Sequence, residues 1–359
     1  MGEPLNVGII GVGAISAQYL ANLPRLPQLR LVAVADLDLA RAEAVAAEHP
    51  GVRACSVDEL LADPTVDTVL NLTIPAAHAS IALRAIAAGK DVYGEKPLAA
   101  TTAEARQVLD AAAAAGVRVG CAPDTVLGTG IQTARRAIDD GLIGTPFAAT
   151  ATMVTPGHER WHPNPDFYYA AGGGPLLDMG PYYVTALVTL LGPVTRVAGA
   201  ASRLRSTRTI GSGARKGESV PVSIDTHVAG ILTHESRAIS TLLMSFDAVA
   251  TTAAPIEVHG DAGSLAVPDP NGFQGTVRHF ALGSDDWTDL PVSAGYRDSG
   301  RGFGLADLAD TPPDAEPRAG GRLAFHVLDV LESVLRSAAS GQAERVGSTA
   351  ERPAAVPLS

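Results

Sequence analysis

The chain has 359 residues, 46% hydrophobic and 18% charged, which suits a packed globular protein and excludes a disordered one. Its net charge of −11 argues against a nucleic-acid backbone as partner, and no basic block reverses that locally. At this length a single core gives way to two domains.

No run approaches the roughly 18 apolar residues of a membrane span. The start "MGEPLNVGIIGVG" lacks the basic residues and long apolar run of a signal peptide. Cys55 and Cys121 have neither metal-ligand nor redox spacing and read as small buried side chains in a reducing compartment. A cytoplasmic protein is expected.

In chain order, "LNVGIIGV", "LRLVAVAD", "VDTVLNLTI", "KDVYGEK" and "VRVGCA" read as strands. Between them "AISAQYLANL", "LDLARAEAVAAEH", "AAHASIALRAIAAG" and "TTAEARQVLDAAAAAG" read as helices, with Gly89 and Gly116 at helix C-termini. Repeated βα units predict a doubly wound parallel sheet, a Rossmann domain over residues 1–124. Beyond it, "GIQTARRAIDDGLIG" reads as a helix. It is followed by "PFAATATMV", "VTRVAGAASRL", "DTHVAGILTH", "AISTLLMSF" and "APIEVHGDAGSLAV" as strands with one helix near 181–191. These predict an α+β second domain over 125–320 with an open, mainly antiparallel sheet. "GSGARKGESVP" reads as a loop, and "DSGRGFGLADLADTPPDAEPRAGG" as irregular or mobile. A closing helix, "RLAFHVLDVLESVLRSAASG", and a tail make up 321–359 and pack back on the body.

"GVGAIS" sets Gly11 and Gly13 between the first strand and first helix. Glycine permits a tight turn and close backbone approach to a pyrophosphate, and the N–H groups at Ala14 and Ile15 face the same anion. Ser16 stands where a third glycine or alanine is usual and is small enough for helix–strand packing. Asp36 ends the second strand, where a carboxylate accepts hydrogen bonds from the ribose hydroxyls of NAD and repels a 2′-phosphate. Helix capping is the competing role of Asp36, and Arg41 nearby leaves NADP open.

In "GEKPLA", the proline holds Lys96 extended at the carboxyl end of a strand, the edge where doubly wound sheets bind ligands. Lys96 there donates to a substrate oxygen, or is a surface lysine at a strand end; Glu95 points the other way. "GHERWHPNP" fits the zinc motif H-E-x-x-H, but Pro156, Gly157, Pro163 and Pro165 deny it a helix and no third ligand is apparent. No metal is expected. The stretch reads as a loop in which Trp161 stacks on a sugar and His158 or His162 binds hydroxyls, or as loop packing alone. Tyr168 and Tyr169 suit sugar recognition or a core equally. In "GGGPLLDMGPYYV", Asp178 and Tyr182 lie four residues apart. If the helix starts at Pro175 they share a face and Pro181 kinks it; if it starts at Pro181, Asp178 lies in the lead-in. Tyr183 is expected to face away and pack.

"GVGAIS", "TIPAAHASIALRAIAAGKDVYGEKPLA" and "GGGPLLDMGPYY", in this order, resemble the Gfo/Idh/MocA family of oxidoreductases. The resemblance implies a Rossmann domain followed by an open sheet through which members form homodimers or homotetramers. It implies that Lys96 is the catalytic-site lysine, and that Thr73, Ile74, Pro75 and His78 pass along the cofactor with Glu95 near the nicotinamide. It makes Asp178 the substrate-site aspartate and Asp124 a substrate-facing polar residue. Many members carry histidine where this chain has Tyr182; some carry tyrosine. A phenol titrates near pH 10, so Tyr182 needs the positive charge of Lys96 and NAD+ to act on a proton. The implied activity is an NAD-dependent dehydrogenase or reductase acting on a sugar, polyol or related cyclic alcohol, with Lys96, Tyr182 and Asp178 as the catalytic set. An NAD-dependent glycosidase working by transient oxidation and a non-catalytic dinucleotide-binding regulator are the alternatives.

Overall fold

The computed structural model describes residues 3–359, and the chain divides into two compact units, one formed by residues up to 127 with 298–328, the other by 128–297 with 329–359.

The first unit begins with β1 (Leu5–Ile10), α1 (Ser16–Asn22), β2 (Leu29–Ala35), α2 (Leu39–Glu48), β3 (Arg53–Cys55) and α3 (Val57–Ala62). It continues with β4 (Thr68–Asn71), α4 (Pro75–Ala87), β5 (Asp91–Gly94), α5 (Thr102–Ala115) and β6 (Val119–Cys121). All six strands are parallel in the order β3-β2-β1-β4-β5-β6. The order reverses direction between β1 and β4, and that switch point opens the ligand edge of such sheets. Strands such as β4, buried along its whole length, read as continuous apolar runs because helices cover both faces. Capping explains where helices start and stop: Thr101 and Glu104 form a capping box on α5, and Gly116, at φ 68°, ends it. The short β3 and α3 were not expected from the sequence, although Ser56 and Glu59 form a capping box on α3.

The second unit contains α6 (Thr129–Asp139), β7 (Pro146–Val154), α7 (Pro175–Leu191), β8 (Val194–Ser202) and a two-stranded ribbon of β9 (Thr207–Thr209) and β10 (Ser219–Pro221). It goes on with β11 (His227–His234), β12 (Ile239–Ser245), β13 (Ile256–Gly260), β14 (Gly263–Val267), β15 (Arg278–Ala281) and β16 (Thr288–Asp289). The nine-stranded sheet is mainly antiparallel, with β7 and β12 the parallel pair. Period-two burial in β7 and β11 shows one face packed and the other open. β10 extends into the stretch expected to be a loop.

Two expectations are corrected. Residues 298–320 fold with the first unit, not the second, and the Gly/Pro-rich stretch there contains a helix, α8 (Phe303–Asp310). α8 forms because Leu305 and Leu308 are buried and the Asp124 carboxylate takes the N–H groups of Gly302 and Gly304. The division also falls inside the closing helix, α9 (Gly321–Ser340): Phe325 and Leu328 join the first unit's core, and residues from Asp329 onward, through β17 (Glu344–Arg345), belong to the second.

Candidate active site

In the first unit, the turn after β1 is built around Gly11 at φ 95°, where a Cβ would lie 2.8 Å from the Leu72 carbonyl. Only glycine fits there. Over Gly13 the space is open, with nothing within 4 Å of a would-be Cβ. Gly13 and Ala14 are exposed, Ile15 caps α1, and Ser16 turns its hydroxyl back onto the Gly13 carbonyl at 2.7 Å. Asp36 Oδ2 accepts the Val12 N–H at 2.8 Å and Oδ1 the Asp38 N–H at 3.0 Å. Asp36 therefore shapes the glycine turn, while the cap of α2 is Asp38. Leu37 is fully exposed and Ile74 largely so, at the carboxyl ends of β2 and β4. A bare turn, a carboxylate at the end of β2 and exposed apolar side chains on the same sheet edge fit a dinucleotide.

The segment after β4 is internally braced. Thr73 donates its hydroxyl to Asn71 Oδ1 at 2.7 Å, and Ile74 and Pro75 begin α4, exposed. His78 is buried, with Nδ1 2.6 Å from the Pro97 carbonyl and Nε2 2.9 Å from the Thr73 carbonyl. It ties the Thr73 segment to Pro97, the residue after Lys96. Glu95 is also buried: Oε1 accepts the Tyr19 hydroxyl of α1 at 2.8 Å and Oε2 the Lys96 N–H at 3.1 Å. Burial, with the Glu95 carboxylate beside it, pushes the Tyr19 phenol well above its ordinary range, so that it stays a donor. Lys96 itself is half-buried, just past β5. Asp124 is not a substrate-facing residue. It is fully buried, paired with Arg301 at 3.3 Å and capping α8. Burial raises its carboxyl pKa against the pull of Arg301.

In the second unit, α7 starts at Pro175, behind Gly174 at φ 94°, and Pro181 lies inside it. Asp178 and Tyr182 are thus one turn apart on one helix face. Tyr182 is buried, and Tyr183 packs inward with its hydroxyl on Asp269 at 3.3 Å. His158 opens a short 3₁₀ turn, and its Nε2 lies 3.2 Å from Asp178 Oδ2. Trp161 and Phe167 are exposed aromatics on the same loop, 59% and 57% accessible, with His162 between them at 5.4 Å from each ring. His162 Nδ1 accepts the Asn164 N–H, and burial, with His158 alongside, holds its pKa below the ordinary value. Of the two readings of Tyr169, sugar recognition or core, its burial fits the core. It is fully buried, and its hydroxyl is bonded to the Glu159 carboxylate. Glu159 is buried against Arg208, so the H-E-x-x-H residues serve three different partners on a turn too short for a zinc helix. The pairing of Asp178 with His158, and the Glu159–Arg208 pair beneath it, were missed in the sequence. The only signal was a glutamate among prolines, which the zinc motif disguised.

A parallel sheet whose first turn is stripped of side chains and flanked by a carboxylate, followed by a mixed sheet, fits the class of dinucleotide-binding proteins. Residues 5–122 match the family model described as "Oxidoreductase family, NAD-binding Rossmann fold", and residues 131–266 match the "GFO/IDH/MocA C-terminal domain". The chain belongs to the GFO/IDH/MocA family of oxidoreductases, whose first domain is an NAD-binding Rossmann fold. It is 35% identical to a 1,5-anhydro-D-fructose reductase of Ensifer adhaerens over 48% of this chain and 52% of that protein. It is 36% identical to an inositol 2-dehydrogenase of Ralstonia nicotianae over 40% of this chain and 44% of the relative. The chain thus spans about half the length of the curated relatives it matches. Over 96% of its length it superposes on 99% of an NAD binding oxidoreductase from Klebsiella pneumoniae, with a TM-score of 0.81 and 25% identity.

Proposed function

We propose that this protein is an NAD-dependent dehydrogenase or reductase acting on a hydroxyl-bearing ring carbon of a sugar, polyol or related cyclic alcohol. The observation that carries the reading is the start of α7 at Pro175, which sets Asp178 and Tyr182 on one helix face with His158 bonded to the aspartate. When bound, the nicotinamide supplies the hydride acceptor for the substrate's carbinol carbon. Asp178 accepts hydrogen bonds from substrate hydroxyls and so orients the ring. Tyr182 takes the hydroxyl proton, and the Lys96 ammonium lowers the cost of forming the phenolate. Trp161 offers an aromatic face to the sugar ring and His162 an Nε2–H. Gly11, Gly13 and the N–H groups at Ala14 and Ile15 hold the pyrophosphate, and Asp36 selects NAD over NADP. The relatives named for anhydrofructose and inositol support a polyhydroxylated ring as substrate.

The experiment is a panel of sugars and polyols with NAD+ or NADP+, scored by reduced cofactor. Lys96→Ala is expected to lower turnover about 10²- to 10⁴-fold with NAD+ affinity intact. Wild-type turnover in that variant would overturn the assignment. We further propose that the protein is cytoplasmic and forms a homo-oligomer through the open face of the second unit's sheet, where two rows across β7, β12, β11 and β8 carry no charge.

A further inference from the structure

Asp178 is held from beneath. A carboxylate only accepts, so a proton sits on Nε2 between His158 and Asp178, while Nδ1 is enclosed with no partner among the described residues. The imidazole is packed by Phe246 at 4.4 Å, Tyr168 at 4.7 Å and Trp161 at 5.3 Å between ring centres. Its backbone is pinned too: the His158 N–H donates to the Tyr169 hydroxyl at 3.1 Å, and that hydroxyl donates to Glu159. Glu159 Oε1 meets Arg208 Nη1 at 3.0 Å. The Arg208 side chain, 1% exposed on β9, also donates to the Pro156 and Phe246 carbonyls at 3.1 and 2.9 Å and pairs with Asp247. Gly157, at φ 114°, lies where any Cβ would collide with Glu159 and Arg208.

Such a network is expensive. Each buried ion loses several kcal/mol of hydration, roughly, and apolar replacements of equal volume are often as stable. An enclosed ring nitrogen without a partner costs about 1–3 kcal/mol more. Stability therefore does not account for it. What the network does supply is a single position for His158, and through it for Asp178 Oδ2.

We propose that Arg208, Glu159 and Tyr169 are positioning residues that act through His158 to fix the carboxylate of Asp178 toward substrate. The proposal rests on the reading of Asp178 as the substrate-orienting residue. It also reassigns His158, whose ring serves the aspartate and not a substrate hydroxyl.

The test uses the full-length protein with NAD+ and the best alcohol of the panel. His158→Phe is expected to lower kcat about 10- to 100-fold with NAD+ affinity unchanged. His158→Gln, whose amide keeps an N–H near the Nε2 position, should recover most of that loss. Arg208→Lys should reproduce the defect in wild-type background and add little to His158→Phe, because residues acting through one another are not additive. Additive losses, or wild-type kcat in His158→Phe, would overturn the proposal. Nitrogen NMR of the histidine rings gives a readout independent of turnover. His158 should show the Nε2–H form in the wild type and a tautomer mixture in Arg208→Lys and Asp178→Asn. An unchanged His158 signal in both variants would overturn the proposal even if no alcohol is oxidised. A wild type inactive on the whole panel would instead count against the proposed function. If Arg208→Lys does not fold, Asp247→Asn, which removes one partner of the same guanidinium, decides by the same two readouts.

Discussion

Asp36, Asp124 and Asp178 carry one side-chain chemistry into three environments. Asp36 is half-exposed and bonded to the turn it accompanies; Asp124 is buried and structural; Asp178 is partly exposed and bonded to a histidine. Of these, Asp36 is the one proposed to govern cofactor choice. Asp36→Ser should shift the NAD+ to NADP+ preference toward NADP+ by about tenfold or more, as one lost carboxylate–hydroxyl pair implies. Unchanged selectivity in cofactor titrations would remove that role. Acid sensitivity is argued at the same scale. His234 is buried, donating Nδ1–H to the Gly192 carbonyl and accepting from Ser240, both at 2.7 Å, and burial lowers its pKa from the ordinary 6.5. Between those two values the unfolded chain binds the proton and the native state does not. Stability therefore falls as pH drops through about 6.5 toward the lower, folded value, and is fully restored above it. Urea unfolding at pH 7.5 and 5.5 should show a smaller difference in His234→Gln than in the wild type.

At the scale of elements, α7 carries a proline in its interior, so the Leu177 carbonyl loses its helical donor. The helix survives because every residue from Gly180 to Leu191 is buried. Gly180 allows close approach to α9, since a Cβ there would come within 2.6 Å of Leu331. Pro181→Ala restores the missing hydrogen bond and should raise the unfolding midpoint by about 2–4 °C for each kcal/mol gained. If Pro181 sets the direction of Tyr182, kcat falls in the same variant. A midpoint below the wild type's would show that Pro181 fits its site without strain. α8 teaches the converse: a helix short on pattern forms where a distant carboxylate caps it.

For the molecule as a whole, the open face of the second unit's sheet is the feature that matters. Two rows cross four strands without a charge: Thr150, Thr241, Ile231 and Ala198, then Thr152, Leu243, Ala229 and Ala200. Ile231 and nearby Ile239 are half-exposed, 51% and 50%. These two rows, bounded by Glu257 beside Thr150 and by Arg196 beside Thr233, form the uncharged patch through which we propose that the second unit's sheet is buried against another copy. Ile231→Glu should convert the proposed homo-oligomer into single chains in light scattering, with the fold retained. An unchanged mass would place the interface elsewhere. No helix among the described residues is long and apolar enough to cross a membrane.

The glycine turn, Asp36, the Rossmann strands and the strand runs of the second sheet were all legible in the sequence, because each rests on local periodicity or on a residue type only one backbone shape tolerates. So was the spacing of Asp178 and Tyr182, although the choice between helix starts at Pro175 and Pro181 was not. Local rules permit proline at either first turn, and only burial of the whole segment picks the longer helix. The burial of His78, Glu95, Asp124 and Tyr169 was equally illegible, as was the bond from His158 to Asp178. Whether a polar side chain faces ligand or core depends on partners far away in the chain: Arg301 for Asp124, Tyr19 for Glu95, Arg208 for the loop at 158. Sequence by itself determined which chemistry this protein carries. Only the tertiary structure decided which carboxylates and rings stay accessible and which are buried against distant partners, because burial depends on residues far away in the chain.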